Sequence, residues 1–194
     1  MSVEIEMRAR FSQEAHDQLI SRLEQDGEDL GRDDKHIYFY VLPDQLLKVT
    51  DNITSNTAKI TLKANKIGQG TAFPETEIPI DRHDVEAAVG IFNALGFQHT
   101  MHDAYNQRRN FRLRGVEIAV KWSEAWGHHA EFEVLLGDEP SATEVESATE
   151  RIRAVANELA VTLMSEPELA EFTAAFEAAQ QVPKPSAPDA TGAR

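Results

Sequence analysis

Carboxylates and cations recur at every second position along several segments of this chain. Glu4, Glu6, Arg8 and Arg10 alternate with Val3, Ile5, Met7 and Ala9, and Lys59 and Lys63 alternate with Ile60 and Leu62. Glu75 with Glu77, Arg108 with Arg112, Glu117 with Lys121, and Glu131 with Glu133 repeat the spacing. Carboxylate oxygens are hard ligands for divalent cations, whereas Lys and Arg grip phosphate oxygens. Brought together, such a set suits a divalent cation bridging a polyphosphate.

Strict alternation is the period of a β-strand, because successive side chains point to opposite faces. Each segment therefore has one oily and one charged face. A half-exposed antiparallel sheet would leave the charged faces in water. Two features favour the opposite arrangement. The charges are segregated by sign, acids near both chain ends of the β region and bases between. The amphipathic helices also need an apolar surface to pack on, which the strands' oily faces supply. The charged faces then look inward, into a closed barrel, where buried charges must pair or bind something. A barrel of about eight strands can enclose one small ligand.

The chain has 194 residues, with 33 Asp plus Glu against 19 Lys plus Arg, a net charge of -14. That balance argues against general nucleic-acid binding, which requires surplus surface cations. Cysteine is absent, which rules out disulfides, thiolate chemistry and cysteine-ligated zinc. With no long apolar run and an acidic "MSVEIE" start, the reading is a cytoplasmic protein that engages no membrane.

Ser12 caps an expected helix with Ala15, Leu19 and Leu23 on one stripe, and Asp81 caps another with Val85, Ala88, Val89, Phe92 and Leu95, closed by Gly96. "FPETEIPI" reads as an edge strand if Pro79 lies within it. Capping boxes at Ser141/Glu144 and Ser165/Glu168 start two terminal helices, in which Leu169, Phe172 and Phe176 form a packing stripe. The pattern predicts about eight strands and four helices. Residues 1–138 form the β-rich domain, 139–181 the C-terminal helices packing on it, and 182–194 a disordered tail. Adjacent His128 and His129 face opposite ways on a strand, and Gly68 with Gly70 read as a hairpin turn. Trp122 and Trp126 read as core or rim packing.

"EIEMR" resembles the ExExK signature of the CYTH family, the triphosphate tunnel metalloenzymes, which include class IV adenylate cyclases, thiamine triphosphatases and inorganic triphosphatases. "ITLK" is similar to the family's second strand signature, "PETEI" to its paired middle acids and "RRNF" to its arginine strand. In "WGHHAEFE", Gly127 followed by Glu131 and Glu133 fits the closing pattern. The resemblance runs from Val3 to about Leu136. It implies an α+β fold: an eight-stranded antiparallel barrel forming a hydrophilic tunnel flanked by helices.

The resemblance makes Glu4, Glu6, Glu131 and Glu133 candidate ligands for Mg²⁺ or Mn²⁺, with Glu75 and Glu77 lining the tunnel as further candidates. Lys63 and Arg108 would grip the triphosphate, helped by Arg8, Arg10, Lys48 and Lys59. Arg8, Lys63 and Lys121 are the candidate catalytic cations. The expected partner is a small triphosphate (tripolyphosphate, nucleoside or thiamine triphosphate), handled by a monomer or homodimer. Hydrolysis is the leading activity; cyclisation of ATP and binding without turnover are the alternatives. The chain departs from the family at Arg8 for lysine, at Thr50 and Phe73 for arginines, at His36 for an acid and at Lys121 for an aspartate. Lys121 has three possible places: paired with a glutamate where a second ion would lie, against a phosphate, or hydrated at the tunnel mouth.

Overall fold

The computed structural model describes residues 2–42, 44–65, 70–97 and 104–180. The chain runs β1 (Ser2–Arg10), α1 (Gln13–Asp26), β2 (Glu28–Arg32), β3 (Lys35–Val41), β4 (Leu46–Asn52), β5 (Thr57–Lys63) and β6 (Ala72–Ile80). A 3₁₀ turn then leads into α2 (Val85–Ala94), followed by β7 (Ala104–Leu113), β8 (Val116–Ser123), β9 (Gly127–Leu136), α3 (Ala142–Glu158) and α4 (Glu166–Gln180). Eight strands close into an antiparallel ring, β7-β3-β4-β5-β6-β1-β9-β8, because β8 pairs back onto β7. The expected α+β barrel is therefore present.

A ninth strand, β2, is an addition. It shares one edge of β7 with β3: Glu28 pairs with Arg112 and Arg32 with Arg109, then Lys35 with Asn106. Its sequence, EDLGR, shows no apolar alternation, so only the offered edge of β7 draws it into strand form. Between β2 and β3 the ladder breaks at Asp33–Asp34. There the Arg108 amide donates to the Asp34 carboxylate (3.0 Å), and the Asp33 amide donates to the Arg108 carbonyl (2.9 Å).

The oily faces look outward, under helices. Ile5, Phe111, Ile118, Phe132 and Val134 pack with Leu19 and Leu23 of α1 and with Ala148, Ile152 and Val155 of α3. Tyr40, Leu47, Val49 and Ala58 pack beneath Val85 and Ala88 of α2. Truncation of Ile152, which is fully buried between α3 and the barrel, leaves a void that the strands cannot close. Ile152→Ala is expected to cost about 2–5 kcal/mol, lowering the melting temperature by roughly 4–20 °C, as a thermal melt followed by circular dichroism would read.

Both terminal capping boxes form: the Ser141 and Ser165 amides donate to Glu144 and Glu168 at 2.8 and 2.7 Å. Leu95 departs from the expected stripe, at 65% exposure. α2 ends at Ala94, and Gly96 at φ +83° reverses the chain. The Phe97 amide then donates to the Phe92 carbonyl (3.1 Å) and the two rings pack at 6.3 Å, so Phe97 takes the place expected of Leu95. β6 is not a simple edge strand. Ala72–Glu75 pair with β1 on one side, and Pro79 lies beyond that pairing, where only β5 flanks the strand, so its missing N–H costs no ladder bond. No helix among the described residues is long and apolar enough to cross a membrane. Gly68 and the tail at 182–194 lie outside the described residues.

Candidate functional site: a charged tunnel inside the barrel

Outward-facing apolar residues oblige the alternate positions to face in. Glu6 and Lys63, each only 4% exposed, mark the deepest part of a cavity of about 220 Å³. That is well above the ~15 Å³ one water requires, so side chains do not fill it. All the candidate residues but one line it: Glu4, Glu6 and Arg8 from β1, Lys48 from β4, Lys59 and Lys63 from β5, Glu75 and Glu77 from β6, Arg108, Lys121, and Glu131 with Glu133 from β9. Arg10 is the exception. It stands where β1 ends, donates to the Trp126 carbonyl (3.1 Å) and lies over the Phe172 ring of α4 (4.1 Å). Arg112 and Glu117 continue the charged faces to the exposed end of the barrel, where they pair with each other at 2.7 Å.

The interior charges are sorted. Lys63 contacts Glu4 (2.5 Å), Glu6 (3.1 Å) and Glu75 (2.7 Å). Against the cost of burial, these carboxylates hold its ammonium well above the ordinary range. Arg8 pairs with Glu6 and, through Nε, with Glu131 at 3.2 Å. Lys121 is 7% exposed and pairs with Glu131, so the hydrated position at the mouth is ruled out. Lys59 and Glu77 pair at the more open end. Lys48 makes no ion pair or hydrogen bond among the described residues. Burial, and then the nearby Lys63, push its pKa down to about 8.

Glu133 is the unsatisfied acid. It lacks a contact ion pair among the described residues, and burial, with Glu4 next, pushes its pKa up to about 8. Glu4, Glu6 and Glu133 each bring one oxygen to within 4.8 Å of the others. Trans oxygens around Mg²⁺ lie about 4.2 Å apart. An all-oxygen trio of this size, with mutual repulsion to relieve, fits a hard divalent cation.

A titration sign follows. Glu133 ordinarily ionises near 4.5 and here near 8, so it is mostly protonated at neutral pH and must lose that proton to ligate. Mn²⁺ binding at pH 7 is expected to release about one proton, fading to none well above pH 8, with affinity rising as pH climbs toward 8. Calorimetry in buffers of different ionisation enthalpy measures this; proton release of zero at pH 7 would contradict ligation by a protonated Glu133.

Sequence reasoning missed several residues of the tunnel. Lys35, Ile37 and Phe39 line it from β3, and their period-2 spacing was the available signal. Lys35 pairs with Asp33 at 2.7 Å; burial, then Arg108, push its pKa down to about 8. Asp33 also accepts from Asn110 (3.1 Å) and faces Arg108 (3.6 Å), which fixes that guanidinium. His128 and His129 do face opposite ways. His128 meets His16 outside (ring centroids 4.7 Å apart), whereas His129 is buried in the tunnel, neutral, its pKa pushed down to about 4 by burial and then Lys121. One mouth is covered by α4, which contributes Thr173 and Phe176 to the lining and packs Phe172 on Trp126 (4.7 Å).

Fold and site together define a closed antiparallel tunnel with carboxylates and cations inside and helices outside. The CYTH domain profile matches residues 2–167, and the chain belongs to the CYTH domain family. That match runs through α3, past the expected end of the resemblance. Among solved structures, a conserved hypothetical protein from Pyrococcus furiosus is 25% identical, with TM-score 0.66 over 82% of this chain and 91% of that one. HpAC1 from Hippeastrum, a proposed adenylyl cyclase with a dominant triphosphatase activity, is 17% identical, with TM-score 0.62 over 94% of this chain and 98% of its own. A proposed adenylate cyclase from Vibrio parahaemolyticus is also 17% identical, with TM-score 0.62 over 88% and 97%. No curated protein sequence matches the chain.

Proposed function

We propose that the tunnel binds a triphosphate together with Mg²⁺ or Mn²⁺ and hydrolyses it, with an inorganic or organic triphosphate as substrate. The observation that carries this reading is the placement of an all-oxygen trio, Glu4, Glu6 and Glu133, and the ammonium of Lys48, unpaired among the described residues, in one cavity. Lys48, Arg108, Lys121 and Arg8 hold phosphate oxygens; Lys63 holds Glu4, Glu6 and Glu75 in place. A bound divalent ion supplies further neutralisation of charge developing on the phosphoryl group. The protein's share is orientation of the phosphates and a water-limited passage.

The lining holds seven cations (Arg8, Lys35, Lys48, Lys59, Lys63, Arg108, Lys121) against six carboxylates (Glu4, Glu6, Glu75, Glu77, Glu131, Glu133). With Glu133 protonated, as at neutral pH, the lining is mildly cationic, and a divalent ion adds the charge that a triphosphate still requires. Divalent cation and triphosphate are therefore expected to bind cooperatively, each raising the other's affinity by the same factor. Titration of Mn²⁺ with and without an excess of tripolyphosphate bound to the protein tests the coupling; equal affinities would contradict it.

The deciding assay takes tripolyphosphate, ATP and thiamine triphosphate with each metal. Orthophosphate release supports hydrolysis. Cyclic AMP with pyrophosphate would establish the cyclase alternative, and binding without turnover a sensor module.

A further inference from the structure

The tunnel's acids divide into two groups with different partners. Glu4, Glu6 and Glu133 bring oxygens together. Glu131, two residues from Glu133 and on the same strand face, stands apart from them. One of its oxygens accepts from Arg8 Nε at 3.2 Å; the other touches Lys121 Nζ and faces Arg108 Nη1 at 3.9 Å. Cross-strand register explains the grouping. Glu131 lies opposite Arg8 on β1 and Ala119 on β8, Lys121 is the next inward residue of β8, and Lys121 lies opposite Arg108 on β7. Glu131 and its three cations thus span two adjacent inward rows, with Arg8 opposite Glu131 in one and Lys121 opposite Arg108 in the next, while the row on the other side, Glu6 opposite Glu133, is acidic.

We infer that Lys121 is a fixed internal cation that fills the Glu131 side of the tunnel, so that the protein takes a single divalent ion at Glu4, Glu6 and Glu133 and meets the phosphates beside it with Lys121, Arg8 and Arg108. This rests on the triphosphate reading. Both oxygens of Glu131 are engaged by cations. Glu6 is also paired with cations, Arg8 and Lys63, but it has oxygens of Glu4 and Glu133 within 4.8 Å to complete a ligand set. Glu131 is outside that group and faces one ammonium and two guanidiniums. Three cations against the one carboxylate, with Arg8 shared by Glu6, leave this cluster positively charged without any metal. Glu131 on this view organises the cations and is not itself a metal ligand.

Counting ions tests it, with Mn²⁺ alone as the probe, read by electron paramagnetic resonance of the free ion. The full chain is expected to bind one Mn²⁺, and Lys121→Asp, which sets a second carboxylate beside Glu131, two. Lys121→Met is expected to keep one ion but lose at least tenfold in tripolyphosphate affinity, and Lys121→Arg to retain most of that affinity. Two ions on the unaltered chain, or unchanged tripolyphosphate affinity in Lys121→Met, would overturn the inference. A chain binding neither Mn²⁺ nor tripolyphosphate would instead overturn the triphosphate reading on which it rests. Should Lys121→Asp not fold, the counts on the unaltered chain and on Lys121→Met still decide.

Discussion

Glu133→Gln is expected to cut turnover sharply while leaving the fold at least as stable as before. The carboxyl is mostly protonated at neutral pH because burial, and then Glu4, push its pKa up to about 8, so glutamine imitates the state it already occupies. The substitution removes the anion only when a divalent cation arrives to displace the proton. Activity should fall by roughly 10²-fold or more, the scale of losing one preorganised electrostatic partner of the reaction, and Mn²⁺ affinity should fall with it. The variant should melt higher than the unaltered chain at any pH above about 4.5, with the gap widening up to about pH 8, since it escapes the cost of a carboxyl whose pKa is raised on folding. Glu6→Gln behaves differently: Glu6 pairs with Arg8 and Lys63 in the folded state, so both stability and activity should drop. Equal turnover in Glu133→Gln, or turnover indifferent to a chelator, would count against metal-assisted hydrolysis.

Lys63→Met should produce the largest loss of stability of any single change in the tunnel. Its ammonium contacts Glu4, Glu6 and Glu75, and it is almost fully buried. Removing one partner of a buried pair leaves uncompensated charge, at about 3–5 kcal/mol, or roughly 6–20 °C in melting temperature. The pKa of Lys63 is held well above its ordinary value in the folded state, so its stabilising contribution is fully present at neutral and acid pH and the deficit of the variant should persist across that range. Saturating Mn²⁺ should restore part of the loss by supplying charge among Glu4, Glu6 and Glu133. A thermal melt across pH, with and without Mn²⁺, reads all three effects; a variant that melts like the parent at neutral pH would show that Lys63 is not the keystone of the acidic cluster.

The amino-acid sequence by itself determined the two faces of each strand. Period-2 alternation places Glu4, Glu6 and Arg8 on one side of β1 and Val3, Ile5 and Met7 on the other, whatever the strand pairs with. It likewise settled the helix starts at Ser12, Ser141 and Ser165, because a side-chain cap acts within a few residues of itself. Only the closed ring decided which charges meet. Glu4 and Lys63 are 59 residues apart, and Arg8 and Glu131 are 123 apart. Their distances are set by the register of eight strands around the barrel, which no local pattern encodes. Closure also drew β2 onto β7, turned Lys35 and His129 inward and left Arg10 at the rim beneath α4. It separated Glu131, wrapped by cations, from Glu133, two residues away and without an ion pair among the described residues. Alternation assigns both to the same face; only the strands beside them give one a set of cations and the other a set of acids.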